Sequence, residues 1–267
     1  LEACRMTTDD EKLIKEIMND YARIIPQIDF ETVSPAIARK IHKIIKDKTQ
    51  TDDPYQSFKK RHIKQAQKLY PRVKKIIEEK DNTLTGALII SAIGNSIDAG
   101  VNLNVDIEDN INSLVKKGLV HSDFDIFKER LSSNTKVLIL GDNAGEAVFD
   151  KLLIHELKKH QVDITYAVRE EPILNDITYK EAQEIGLPEI CNVISSGCKS
   201  PGIIFEETGK EFKSIFKKAD IIISKGQGNY EGLSDVSKPI FFLLKAKCSL
   251  VARQLQVSEG DLVFKLK

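Results

Sequence analysis

The sequence carries no net charge: 40 Lys and Arg side chains are matched by 40 Asp and Glu among 267 residues. Interspersed charge without a one-signed field argues against a protein that coats nucleic acid or an anionic membrane, so any basic site must be local. Long apolar runs are also missing. The longest, Leu84 to Ile93 with Thr85 inside it, falls far short of the roughly 18–20 residues that span a bilayer. Cysteine is sparse, and Cys4, Cys191, Cys198 and Cys248 form no C-x-x-C pair. Structural zinc takes four ligands supplied as close pairs, and a chain this long builds a core without a disulfide framework. Free thiols in a soluble, cytoplasmic protein are the expectation. Internal repeats and low-complexity linkers are absent, which predicts parts that pack against each other. Leu1 to Arg5 has no apolar signal core, and a start at leucine is read as an N-terminal truncation.

Two periodicities divide what is present. From residue 1 to about 133 the pattern is helical. Leu13, Ile14, Ile17, Met18, Tyr21, Ile24 and Ile25 follow helical spacing behind Asp9 and Asp10, whose carboxylates suit a helix N-terminus. Val33 to Ile45 forms a second stripe, and Tyr55 to Ile76 a third that Pro71 is expected to kink or divide. Leu84 to about Asp98, apolar nearly all round, reads as a central buried helix. Shorter helices are expected near Ile107 to Lys117 and Phe124 to Leu131. From 134 to 267 short β-rich runs alternate with helices: Lys136 to Leu140, Val162 to Val168, Asn192 to Ser195, Asp220 to Ser224, Ile240 to Leu244 and Asp261 to Leu266. That alternation predicts a three-layer α/β/α domain with a mostly parallel sheet.

Ligands of such sheets bind at the carboxyl ends of strands, and four chemically rich segments draw attention. Gly141-Asp142-Asn143-Ala144-Gly145-Glu146 follows the first run, where Asp142 and Asn143 offer oxygen ligands for a hard cation such as Mg²⁺ or Mn²⁺. They equally suit a helix cap. After Val168 come Arg169, able to clamp phosphate oxygens, and Asp176, a third oxygen ligand, with Asn175 or Asp176 as an alternative cap. Lys225-Gly-Gln-Gly-Asn229-Tyr-Glu231 joins a phosphate-compatible charge to glycines that admit close approach, or is a flexible turn. Gly94-Asn95-Ser96-Ile97-Asp98 places Asn95 and Asp98 on one helix face with Ser91, facing a site or satisfying a helix end. His62, His155 and His160 show no paired ligand spacing and are assigned structural or surface roles.

In this order the four segments resemble the DUF89, or ARMT1-like, family of metal-dependent damage-control phosphatases, in the short prokaryotic subgroup. Asp53-Pro54-Tyr55 and Lys245-Ala-Lys247-Cys248 add weaker matches. The resemblance implies a helical N-terminal part, 1–133, against a Rossmann-like α/β/α domain, 134–267. It implies a divalent metal (Mn²⁺, Co²⁺, Ni²⁺ or Mg²⁺) held by Asp142, Asn143 and Asp176. Lys225, Arg169, Asn95 and Asn229 would meet phosphate or substrate, a phosphomonoester of a small metabolite. That subgroup usually carries an N-terminal C-x-x-C; this sequence has only Cys4 there and is expected to begin after that motif. Direct attack by metal-bound water, with Asp98 or Glu146 accepting the proton, is preferred to phosphorylation of Asp142. Two rivals stand beside it. One is a Rossmann-type cofactor enzyme such as a methyltransferase or dehydrogenase, although the full G-x-G-x-x-G is missing. The other is a non-enzymatic helical interaction protein.

Overall fold

A computed structural model describes residues 1–94, 113 and 115–267. The expected Asn95 and Asp98, and most of the helix expected near Ile107, lie outside the described residues.

Helices come first: α1 (Glu2–Arg5), α2 (Glu11–Ile24), α3 (Ser34–Thr49), α4 (Gln56–Glu78) and α5 (Thr83–Ile93). Asp10 caps α2, accepting from the backbone of Lys12 and Leu13, so the acidic start read from the sequence has a definite hydrogen-bonding role. Pro71 does not divide the third stripe: α4 runs unbroken through it. Pro71 and Gln67 are both exposed. The carbonyl that loses its helical partner therefore stays in reach of water, which makes the proline tolerable. α5 buries Leu84 and every residue from Gly86 to Ile93. Each large apolar side chain buried there contributes about 1.5–3 kcal/mol.

The α/β part follows: β1 (His121–Ser122), α6 (Phe124–Glu129), β2 (Lys136–Leu140), α7 (Ala144–Lys158), β3 (Asp163–Val168), α8 (Tyr179–Glu184), β4 (Asn192–Ser195), α9 (Lys210–Lys218), β5 (Ile221–Lys225), α10 (Gln227–Leu233), β6 (Phe241–Lys245), α11 (Ser249–Leu255) and β7 (Leu262–Leu266). β3 and β7 begin one residue later than the sequence indicates and β5 and β6 are offset by one at both ends, while β2 and β4 match. The purely helical reading of residues 1–133 is corrected by β1, which pairs with Val263 and Phe264 of β7. A two-residue strand has too little pattern to show period-two alternation.

The sheet order is β1-β7-β6-β5-β2-β3-β4. The strands from β6 to β4 are parallel, whereas β7 runs antiparallel to β6. Alternate residues of β2 enter two cores. Val137 and Ile139 pack with α4, α5 and α7, whereas Leu138 and Leu140 pack with α9, α10 and α11. Both faces are therefore covered, which is why these strands read as continuous apolar runs. From β2 the chain winds outward to β3 and β4 on one side and to β5 and β6 on the other. The crevice beside β2 and β5 is thus a topological switch point, where ligands of such sheets bind. No helix among the described residues is long and apolar enough to cross a membrane, and all four cysteines are free thiols.

Candidate active site

β2 delivers its chain to the switch point through Gly141. A Cβ there would lie 2.6 Å from the Tyr166 ring on β3, so only glycine allows the turn. Asp142 and Asn143 follow, and α7 begins at Ala144. Asn143 is the residue at the cap position, yet its side chain makes no capping bond. Its Nδ2 donates to Asp142 Oδ2 at 3.2 Å instead, which leaves the amide oxygen free of the cap role the sequence also allowed.

The loop after β3 is stitched to this turn by its backbone. Ile177 N donates to Asp142 O, Ala144 N to Asn175 O and Arg169 N to Ile177 O, all at 2.8–2.9 Å. Asn143 and Asp176 form an antiparallel bridge. Thr178 caps α8 in a reciprocal box with Glu181, so neither Asn175 nor Asp176 is consumed as the cap. Leu174, within the loop, has φ +45°, a left-handed conformation costly for a branched side chain.

Asp142, Asn143 and Asp176 line one cavity of about 430 Å³. Tyr55 and Phe58 at the start of α4 form another wall, and Gln227, Glu231 and Lys247 a third. A larger cavity, about 650 Å³, runs along Lys40, Lys43 and Lys46 of α3 to Glu171 and Lys199. It contains none of the three acidic or amide groups at the switch point, so volume alone does not locate the chemistry.

Behind the carboxylates lies Arg169, 1% exposed. Its Nε donates to Asp176 Oδ2 at 2.7 Å and its Nη2 to Asn229 Oδ1 at 2.9 Å. Nη2 also stands 3.8 Å from Asp142 Oδ1. Burial pushes the Asp176 carboxyl up to about 7; Arg169 pulls it down and Asp142 pushes it up further. Asp142 is likewise raised by burial, against the pull of Arg169, Lys247 and Lys225. Two carboxylates held this way have more negative charge than one guanidinium offsets, the condition that a cation relieves.

Lys225 and Asn229 are engaged by partners within the protein. Lys225 is fully buried, and its Nζ bonds Glu146, Asp150 Oδ1 at 2.8 Å and Ser91 O at 3.1 Å. Burial opposes its charge, but Asp150 and Glu146 outweigh that and keep the ammonium protonated. Asn229 accepts from Arg169 and Ile203 N and donates to Gly141 O and Lys225 O, which fills its bonding capacity. Glu146, pushed up to about 8 by burial against the pull of Lys225, is absent from the cavity wall. These three side chains frame the site from below.

Asp150 was not singled out by sequence. It accepts from Ser91 Oγ at 2.5 Å, Tyr166 Oη at 2.7 Å and Lys225. Its position one helical turn after Glu146 was the available signal. Among the described residues no three His, Cys, Asp or Glu side chains are grouped to hold a metal. The donor set at the switch point is two carboxylates and one amide, all oxygen. That composition fits a hard or borderline divalent cation and not a thiolate-type zinc site.

Comparison with known proteins places the chain in a family. The profile of the Damage-control phosphatase ARMT1-like domain matches residues 1–263. A damage-control phosphatase of Archaeoglobus fulgidus is 36% identical over 98% of this chain and 93% of its own. One from Pyrococcus horikoshii is 34% identical over 97% and 90%. The crystal structure of a DUF89 family protein from Pyrococcus horikoshii superposes with a TM-score of 0.90 at 31% identity, covering 98% of this chain and 93% of that one. A match across nearly the whole chain, in sequence and in fold, shows that this protein belongs to the damage-control phosphatase ARMT1-like, or DUF89, family.

Proposed function

We propose that the protein is a phosphatase of the damage-control type that hydrolyses phosphomonoesters of small metabolites with the aid of a divalent metal ion. The observation that carries this reading is the convergence of Asp142, Asn143 and Asp176 on one cavity at the switch point of the sheet. Those three residues would hold Mn²⁺, Co²⁺, Ni²⁺ or Mg²⁺. When bound, such an ion neutralises phosphoryl oxygens and supplies an activated water.

The chain's own residues do the rest. Arg169 anchors both carboxylates from behind and fixes their direction. Lys247, exposed on the cavity wall, is placed to meet a phosphate dianion entering from solvent. Tyr55 and Phe58 offer an apolar and aromatic surface for the organic part of the ester, and by covering the site they limit bulk water. Lys225, Glu146 and Asp150 hold α5, α7 and β5 in register beneath the turn that carries Asp142. In this reading residues 134–267 are the Rossmann-like domain and residues 1–133, apart from β1, the helical part that walls the site.

Hydrolysis of p-nitrophenyl phosphate tests the proposal. Activity should appear with Mn²⁺, Co²⁺ or Ni²⁺, vanish with EDTA and return with added metal, and be abolished in Asp142→Ala. A folded, metal-loaded wild type inert across a broad phosphomonoester panel would sink it.

A further inference from the structure

A buried ion triad ties the aromatic wall of the cavity to the loop that carries Asp176. Lys59, on α4, is 1% exposed. Its Nζ lies 2.7 Å from Asp53 Oδ2 and 2.7 Å from Glu181 Oε1. On the helical side, Asp53 Oδ1 accepts from Tyr55 N at 3.2 Å, so the carboxylate that meets Lys59 also sets the start of α4. Tyr55 and Phe58, both on the cavity wall, are within one helical turn of Lys59. On the other side, Glu181 Oε2 accepts from Thr178 N at 3.0 Å and from Thr178 Oγ1. Thr178 bridges to Arg169, and Ile177 beside it donates to the backbone of Asp142. Asp176 lies between these fixed points.

We propose that Lys59 is a positioning residue for the metal site, one that sets the Asp176 loop and the Tyr55–Phe58 wall in a single geometry. This rests on the reading that Asp142, Asn143 and Asp176 hold a divalent ion. A purely stabilising role is a poor account of the triad, because apolar residues of similar volume often replace buried ion pairs at no cost in stability. What a salt bridge adds over an apolar contact is direction: two carboxylates from segments 128 residues apart, Asp53 and Glu181, must converge on one ammonium. Partners behind first ligands commonly control metal affinity by 10–100-fold.

The test is Mn²⁺ binding to the metal-free full chain by isothermal titration calorimetry, a readout independent of turnover. Lys59→Met should weaken Mn²⁺ binding by about 10–100-fold, and Lys59→Arg, which keeps a cation between the carboxylates, should recover most of it. Glu181→Gln retains the volume and an acceptor for Thr178 while removing the charge, and should weaken binding in the same direction. It serves as the deciding variant if Lys59→Met does not fold. Folded variants with wild-type Mn²⁺ affinity would overturn the role of Lys59 alone. A wild type that binds no Mn²⁺ would overturn this role together with the metal reading on which it rests.

Discussion

Arg169 grips Asp176 at 2.7 Å through Nε while its Nη2 stands 3.8 Å from Asp142 Oδ1, so a single guanidinium holds the two carboxylates of the switch-point cavity. Removing it as Arg169→Met takes from Asp176 its ion-pair partner and leaves Asp142 the more distant pull of Lys247 and Lys225. Breaking a buried ion pair from one side typically costs about 3–5 kcal/mol, and urea unfolding of the metal-free protein should show a loss of that size. Arg169→Lys should fail to restore it, because an ammonium cannot reproduce the planar fork that also reaches Asn229. A neutral result for Arg169→Met would show that the carboxylates do not depend on it.

The raised carboxyl of Asp176 gives metal binding a pH dependence. Its value in the folded chain is about 7, against 3.8 for the ordinary side chain. Between those values the folded metal-free protein retains a proton that the unfolded chain has lost. The contribution of this group to stability therefore falls as pH rises through that window. A cation binds the ionised form and competes with the proton. The Tm increase produced by Mn²⁺ should accordingly grow from about pH 6 to about pH 8, as Asp176 gives up its proton. A metal-induced shift that stays flat across that range would contradict the placement of Asp176 among the ligands.

Lys225 separates a framework role from a ligand role. Its ammonium is fully buried between Glu146 and Asp150, so Lys225→Met should cost stability on the order of 3–5 kcal/mol. A direct phosphate ligand would behave differently, raising KM with little effect on unfolding. Chemical denaturation beside steady-state kinetics of the folded fraction distinguishes the two.

Gly226 tests how closely the backbone approaches the site. It has φ +77°, and a methyl group there would overlap the Asp142 carboxylate. Gly226→Ala should displace Asp142 and depress both Mn²⁺ affinity and activity. The backbone alone, at φ 77° and ψ 161°, lies in a region nearly reserved for glycine and would cost about 1–3 kcal/mol. Unchanged Mn²⁺ affinity in a folded Gly226→Ala would mean that Asp142 does not need its observed position.

The sequence made local relationships visible and hid the distant ones. Asp142 and Asn143 stood out because an apolar run, a glycine and a helix start lie within a few residues of each other, a pattern with a direct physical meaning at a strand end. The eight residues from Arg169 to Asp176 were equally legible. Asp150 was not, since its partners Tyr166, Lys225 and Ser91 lie 16, 75 and 59 residues away. Lys59 was not singled out by sequence either, and only the fold brings Glu181 to it across 122 residues. Lys225 admits two readings for a related reason. A lysine beside glycines suits phosphate as well as it suits two buried carboxylates, and the choice depends on what α7 places opposite. The β1 strand was too short to carry a period, and Pro71 looked like a break because its exposure could not be read from spacing.

Diffraction from crystals grown with Mn²⁺, recorded near the manganese absorption edge, tests the central claim most directly. An anomalous peak bounded by the side-chain oxygens of Asp142, Asn143 and Asp176, at the roughly 2.0–2.6 Å typical of oxygen ligands on divalent ions of this kind, is the predicted result. A fully loaded protein whose anomalous density lies elsewhere, or crystals that take up no ion at these three residues, would contradict it.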